Sequence, residues 1–150
     1  MSKSERYALL LRQIGSLIAG ESDVTADLAN AAALIHAEFG FWWTGFYLVK
    51  GDQLVLGPFQ GPVACSRIPF GKGVCGTAWM RKETVIVPDV EEFPGHIACS
   101  SASRSEIVVP LLRDGEVLGV LDIDSRFLAT FDDEDAAGLE PIASLLSGIL

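Results

Sequence analysis

The gaps between the β-type segments of this chain are too short for a parallel sheet. Phe41 to Val49 is aromatic and β-branched and reads as a strand. Lys50-Gly51-Asp52 is a turn, and Leu54 to Phe59 reads as the hairpin partner. Short strands follow at Arg67 to Phe70 and at Thr84 to Val87, with a short helix from about Val74 to Arg81 between them. Ile107 to Leu112 and Glu116 to Ile123 form a second hairpin through Asp114-Gly115. A parallel pair needs a crossover of a dozen or more residues, so these hairpins require antiparallel pairing.

Helical period brackets the strands. Tyr7, Leu10, Leu11, Ile14, Leu17 and Ile18 make one apolar stripe, with Ser2 and Glu5 placed as a capping box and Gly20 as a stop. Asp23 caps a second helix that buries Val24, Leu28, Ala31, Ile35 and Phe39 and ends at Gly40. Thr130 or Asp132 caps a last helix with Leu139, Ile142, Leu145, Leu146 and Ile149 inward. Each helix has one apolar face, and all three are expected to share one side of the sheet. The expected fold is α+β, one domain over residues 1–150, with a central antiparallel sheet and the N- and C-terminal helices on one face. The other face is left for the longest irregular stretch, Asp89 to Ser103, and for a ligand pocket beneath it.

Composition narrows the partners. Half the residues are hydrophobic, which excludes a disordered chain. Eleven basic against twenty acidic residues give a net charge of −9, which argues against a nucleic-acid backbone and an anionic membrane surface. A cationic ligand, or a small ligand with an ammonium group, suits that balance. No run approaches the roughly 18 apolar residues of a membrane span. The N-terminus passes straight into helical period, and the expected location is the cytoplasm.

Three cysteines in such a compartment point to reduced, redox or metal-bound thiols rather than structural disulfides. Cys99 lies in the long loop near His96 and Arg104, which could lower its pKa. Cys75 opens the short helix, where the helix dipole favours a thiolate. Cys65 sits in a loop before the third strand, where it can move as a resolving thiol must. Zinc on Cys65, Cys75, His96 and Cys99 is disfavoured because no C-x-x-C pair exists. Gly71-Lys72-Gly73 is a weak phosphate signal and reads better as a tight turn into a helix.

Asp122 and Asp124 are two apart on a strand and share a face, while Leu121 and Ile123 point to the helix side. The aspartates therefore face the pocket. A two-residue turn at Asp114-Gly115 would set Glu106 opposite Ile123. A three-residue turn, Arg113-Asp114-Gly115, sets it opposite Asp122 and is preferred because glycine stands last. Three carboxyls would then converge, so that either a cation binds or one of them stays protonated. The competing reading is a solvated acidic edge. Trp43 and Tyr47, four apart, share a face and are either core or a pocket wall for an apolar or onium-like group.

Four segments carry a resemblance: Gly71-Lys72-Gly73-Val74-Cys75-Gly76-Thr77-Ala78, Phe93-Pro94-Gly95-His96-Ile97-Ala98-Cys99, Ser103-Arg104-Ser105-Glu106-Ile107-Val108-Val109-Pro110-Leu111 and Gly119-Val120-Leu121-Asp122-Ile123-Asp124-Ser125. The chain resembles the free methionine-(R)-sulfoxide reductases, which are stand-alone GAF-domain enzymes. The last two segments in part mark GAF domains generally. The specific part is the cysteine spacing, ten residues from Cys65 to Cys75 and twenty-four from Cys75 to Cys99. The resemblance implies a GAF fold and thiol-dependent reduction of free methionine sulfoxide. By it, Cys99 is the nucleophile, Cys65 forms a disulfide with it, and Cys75 assists recycling. Trp43 and Tyr47 would line the substrate pocket, and Glu106, Asp122 and Asp124 would hold the substrate and assist the sulfoxide. It also implies a thioredoxin-type reductant, a homodimer through the helices, and no metal or cofactor. Ser100 departs from the pattern, where many relatives are expected to carry an aspartate. Which of the three acids donates a proton stays open. The rival reading is a GAF sensory module, binding a small molecule or using the disulfide as a switch without turnover.

Overall fold

The computed structural model describes residues 1–96 and 102–150. The expectations for Cys99 and Ser100 lie outside the described residues. Helix α1 runs Lys3–Ala19 and α2 Val24–Phe39, followed by strands β1 Trp43–Lys50, β2 Gln53–Gln60 and β3 Arg67–Pro69. Helix α3 is Gly73–Arg81 and β4 is Val85–Val87. A single 3-10 turn, Val90–Glu92, precedes β5 Ser105–Arg113, β6 Glu116–Ser125 and α4 Asp133–Ser147.

The helix signals act as the sequence reads. Ser2 and Glu5 close a reciprocal capping box on α1. Asp23 accepts from the Ala26 amide, and Gly40 ends α2 in the left-handed region. The cap of α4 is Asp132, not Thr130, because Asp132 and Asp135 form the reciprocal pair. Strand β1 starts two residues after Phe41. The Phe41 ring instead stacks on Phe39 and meets Phe131, which ties it to the helix layer.

The strands form one six-stranded sheet in the order β3-β2-β1-β6-β5-β4, and every pairing is antiparallel. On one face, Phe46, Ile107, Val109, Leu111, Leu121 and Ile123 pack with buried residues of α1, α2 and α4. The helix side has two tiers. Helix α2 covers β1 and β2, α4 covers β5, and α1 packs chiefly on α2 and α4 rather than on the strands. The other face carries Trp43, Tyr47, Val108 and Val120 against Val74, Cys75 and Ala78 of α3.

Register is set by this division. Leu121 and Ile123 are fully buried, each contributing about 2 kcal/mol by burial. A slip of one residue would expose them and drive Asp122 and Asp124 into the helix core. The hairpin that fixes the register differs from expectation. Arg113 pairs with Glu116, so the turn is the two-residue Asp114-Gly115. Both residues have positive φ, 53° and 78°, which is the turn geometry that matches strand twist. A bulge then intervenes: Leu112 pairs with Val117 but Leu111 pairs with Gly119. The extra residue shifts all later pairs by one. Glu106 therefore lies opposite Asp124, not Asp122, and Asp122 lies opposite Val108.

Candidate active site

The face opposite the three large helices holds a cleft of about 560 Å³, open mouth included. Its floor is the sheet. Glu106 comes from β5, Asp122 and Asp124 from β6, and Trp43 and Tyr47 from β1. One side is α3, through Gly73, Val74 and Cys75, with Lys72 at its N-terminus. Val63, Ala64 and Ile68 close another side, and His96 and Ser103 a third.

The aromatic pair is both packed and lining. Trp43 stacks between Tyr47, with ring centroids 5.9 Å apart, and Phe59, at 5.2 Å. Gly45 makes this possible, because a Cβ there would lie 2.4 Å from Phe59 and 2.6 Å from the Trp43 ring. The polar ends of both rings fasten one segment. Trp43 Nε1 donates to the Pro62 carbonyl at 3.0 Å, and Tyr47 Oη donates to the Cys65 carbonyl at 2.9 Å. The wall thus fixes the backbone that carries Cys65. Sequence spacing gives no sign of this tether.

The carboxyls converge as expected. Glu106 and Asp122 are 6% and 5% exposed, and Asp124 is half-buried. Burial pushes Glu106 well up, and the charges of Asp122 and Asp124 push it the same way. Burial also raises Asp124, with the Asp122 charge adding to it. The Ser103 hydroxyl, 3.1 Å from Asp124 Oδ1, acts against that rise. Burial raises Asp122 too, but hydrogen bonds from Glu106 and Cys75 and the nearby His96 oppose it. Every neighbour of Glu106 favours its protonated form. Glu106 and Asp124 are thus both pushed toward their protonated forms, and the three carboxyls share protons as one cluster. Asp122 Oδ1 is buried without a hydrogen-bond partner among the described residues and remains free to accept one.

The cysteines divide. Cys65 is half-buried and disulfide-bonded, and Cys75 is a buried free thiol. Cys75 sits in the first turn of α3, yet burial raises its pKa far above the usual thiol value, and Asp122 and Glu106 add to the rise. The expected thiolate is overturned: one short helix dipole is outweighed by desolvation and three carboxyls. Cys75 is instead held as a neutral thiol beside Asp122. The ligand atoms of Cys75, Glu106 and Asp122 lie within 4.8 Å of one another, which also suits a small cation. The four-ligand zinc grouping gains no support, because Cys65 is already bonded through sulfur.

Several lining residues escape a reading by spacing. Lys72 reaches the pocket rather than serving only a turn, and Trp42 adds to the aromatic side. Burial lowers the His96 pKa, partly offset by Asp122, so this imidazole tends to the neutral form. His96 and Ser103 flank residues 97–101 and both line the cleft.

Residues 19–150 match the GAF domain model. The chain is 56% identical to GAF domain-containing protein A of Dictyostelium discoideum, over 97% of this chain and 92% of that protein. It is 50% identical to the free methionine-R-sulfoxide reductase of Escherichia coli (strain K12), over 100% of this chain and 92% of that one. The X-ray structure of free methionine-R-sulfoxide reductase from Neisseria meningitidis in complex with its substrate superposes with a TM-score of 0.96 at 55% identity. It covers 99% of this chain and 90% of that one. With that fold, that pocket and identity across the full length, the chain belongs to the free methionine-R-sulfoxide reductases of the GAF domain family.

Proposed function

We propose that this protein reduces free methionine-(R)-sulfoxide to methionine, with Cys99 as nucleophile and Cys65 as resolving thiol. The observation that carries this reading is a cluster of three pocket carboxyls, Glu106, Asp122 and Asp124, opposite an aromatic wall that fastens a disulfide-bonded Cys65. The names of its full-length relatives support it.

The pocket chemistry fits each part of the substrate. The ammonium group meets Asp122 and Asp124, and its arrival supplies the unused acceptor on Asp122. The S-methyl group packs on Trp43 and Tyr47. The carboxylate meets Lys72 and the N-terminus of α3, which has no side-chain cap. Glu106 donates its proton to the sulfoxide oxygen as the Cys99 thiolate attacks sulfur. A bond forms from Cys99 Sγ to that sulfur, the protonated oxygen shifts to Cys99 Sγ as the S–O bond and the new S–S bond break, and methionine leaves with the electron pair, so that Cys99 is left as a sulfenic acid. Cys65 condenses with it to a disulfide and expels water. A thioredoxin-type dithiol then supplies two electrons and two protons and restores both thiols. Cys75, raised in pKa and held beside Asp122, orients that carboxylate instead of attacking. Such recycling belongs in a reducing compartment, and we assign the protein to the cytoplasm. Among the described residues no helix is long and apolar enough to cross a membrane.

The test is turnover of the separated R and S diastereomers with dithiothreitol, and then with thioredoxin, quantifying methionine. The R form alone should be consumed, and Cys99→Ser should abolish the activity. Equal use of both forms, or normal turnover by Cys99→Ser, would overturn the reading.

A further inference from the structure

Charge is unevenly spread along this chain. Residues 53–82 contain Arg67, Lys72, Arg81 and Lys82 and not one aspartate or glutamate. The other 120 residues carry seven basic and twenty acidic side chains. The basic segment folds into β2, β3 and α3, and all four of its cations are exposed. Strand β3 forms an edge of the sheet, and among the described residues no further strand covers it.

The same surface exposes large apolar groups. Phe70 is 50% exposed and Met80 48%. Phe70 stands edge-on to Trp79, with ring centroids 4.8 Å apart, and the Met80 sulfur lies against Gly71. An aromatic and methionine centre with arginine around it is the composition of a protein-binding patch. Val63, 87% exposed, extends the apolar surface to the mouth of the pocket. Cys65 precedes β3 by two residues. Phe70 lies five positions beyond it, a span of at most about 18 Å. A standard interface covers about 800 Å² per partner, roughly 30 Å across, and includes both.

We propose that the face formed by β3 and α3 is the docking surface for the dithiol protein that reduces the Cys65 disulfide, and that this partner presents acidic side chains around an apolar contact. The proposal rests on the recycling step given above. The partner's exposed thiolate attacks Sγ of Cys65, and the electron pair of the broken S–S bond leaves on the other sulfur. A mixed disulfide results. The partner's second thiolate attacks its own sulfur in that bond and expels Cys65 as a thiolate. The partner departs as a disulfide, having delivered two electrons, and solvent protonates the thiolates. Positive charge on an otherwise negative protein also steers an acidic partner to this face, an effect that falls with salt.

The test is steady-state reduction of free methionine-(R)-sulfoxide with a purified thioredoxin of acidic pI as the varied reductant, and with dithiothreitol in parallel. Arg67→Glu combined with Arg81→Glu should raise KM for thioredoxin about tenfold with kcat unchanged. The same variant should turn over normally with dithiothreitol, which needs no docking surface. Wild-type kcat/KM for thioredoxin should fall with added salt, and that of the double variant should not. Met80→Ser should raise the same KM independently of salt. An unchanged KM in the double variant, or parallel losses with both reductants, would overturn the docking site. So would a wild-type protein recycled by dithiothreitol and not by thioredoxin, an outcome that leaves the reductase reading intact. Failure of the wild type with both reductants would instead remove the reductase reading beneath it.

Discussion

Two buried acidic sites lie on opposite sides of this sheet, and they are built on opposite terms. On the helix side, Asp135 is 2% exposed and fully partnered. Tyr7 Oη donates to it at 2.6 Å, Lys3 Nζ at 2.9 Å, and the Asp132 amide at 2.9 Å. The Lys3 ammonium gives that carboxylate a counter-charge. On the pocket side, Glu106, Asp122 and Asp124 face one another, and among the described residues no Lys or Arg ion pair reaches them. Among the described residues Asp122 Oδ1 has no hydrogen-bond partner. A buried carboxylate stabilises a fold only when it is paired. The helix-side group is a fastening between α1 and α4. The pocket cluster works against stability, so its use must be met when something binds.

The largest expected effect comes from removing the conflict. Glu106→Gln keeps the shape but loses the transferable proton. Turnover should fall by about 10²- to 10⁴-fold, the range for loss of a general acid. The unfolding temperature should rise, because the folded state no longer has to hold at Glu106 a proton that the unfolded chain releases. The pH dependence follows the same logic. The folded-state affinities of Glu106 and Asp124 for protons are raised, so the folded state holds protons that the unfolded chain has released above about pH 4. The cluster's contribution to stability is present at low pH and is lost as pH rises through the folded values. Asp132, lowered by its hydrogen bond to Lys3, behaves oppositely: its contribution is present above about pH 4 and is lost on acidification. Urea midpoints between pH 4.5 and 8 should therefore decline in the wild type and flatten in Glu106→Gln. A destabilised Glu106→Gln variant would mean that the cluster is structural after all.

The helix-side site should respond in the other column. Asp135→Ala removes the acceptor of the buried Tyr7 hydroxyl and one half of the α4 capping box. The loss should be about 2 kcal/mol, from an unsatisfied buried hydroxyl plus a lost cap. Turnover per folded molecule should stay at the wild-type value. Adding Tyr7→Phe should restore about 1 kcal/mol, because the orphaned hydroxyl goes with it. A loss of kcat without a loss of stability would erase the distinction between the two sites.

Much of this contrast is legible in the sequence. The alternation Leu121-Asp122-Ile123-Asp124 assigns each side chain to a face by period alone, and the structure puts Leu121 and Ile123 in the helix-side core and both aspartates in the pocket. The capping boxes at Ser2 and Asp132 are equally local. What escapes is whatever depends on a partner distant in the chain. The Tyr47 tether to Cys65 needs the β1–β2 geometry. The fate of Cys75 needs three carboxyls from other strands. The pairing of Glu106 needs a bulge that no residue type announces. Asp114-Gly115 suits a two-residue turn, and that turn alone would have put Glu106 on the helix face. The correct face was reached by way of the wrong turn.

That bulge offers the smallest and sharpest test. Leu118 is the unpaired residue between Val117 and Gly119. It lies beyond the last β1–β6 pair, Leu48 with Gly119, so no strand on its other side depends on it. Deleting Leu118 would join Val117 directly to Gly119, while Leu112 still meets Val117 and Leu111 still meets Gly119. The hairpin becomes regular, and the pairing of Glu106 with Asp124 is unchanged. The cost should be about 1 kcal/mol, typical of a single change near a surface turn, with turnover retained. Loss of turnover at near-wild-type stability would mean that the strand had slipped. In that case the burial of Leu121 and Ile123 would not be what holds the acids in the pocket.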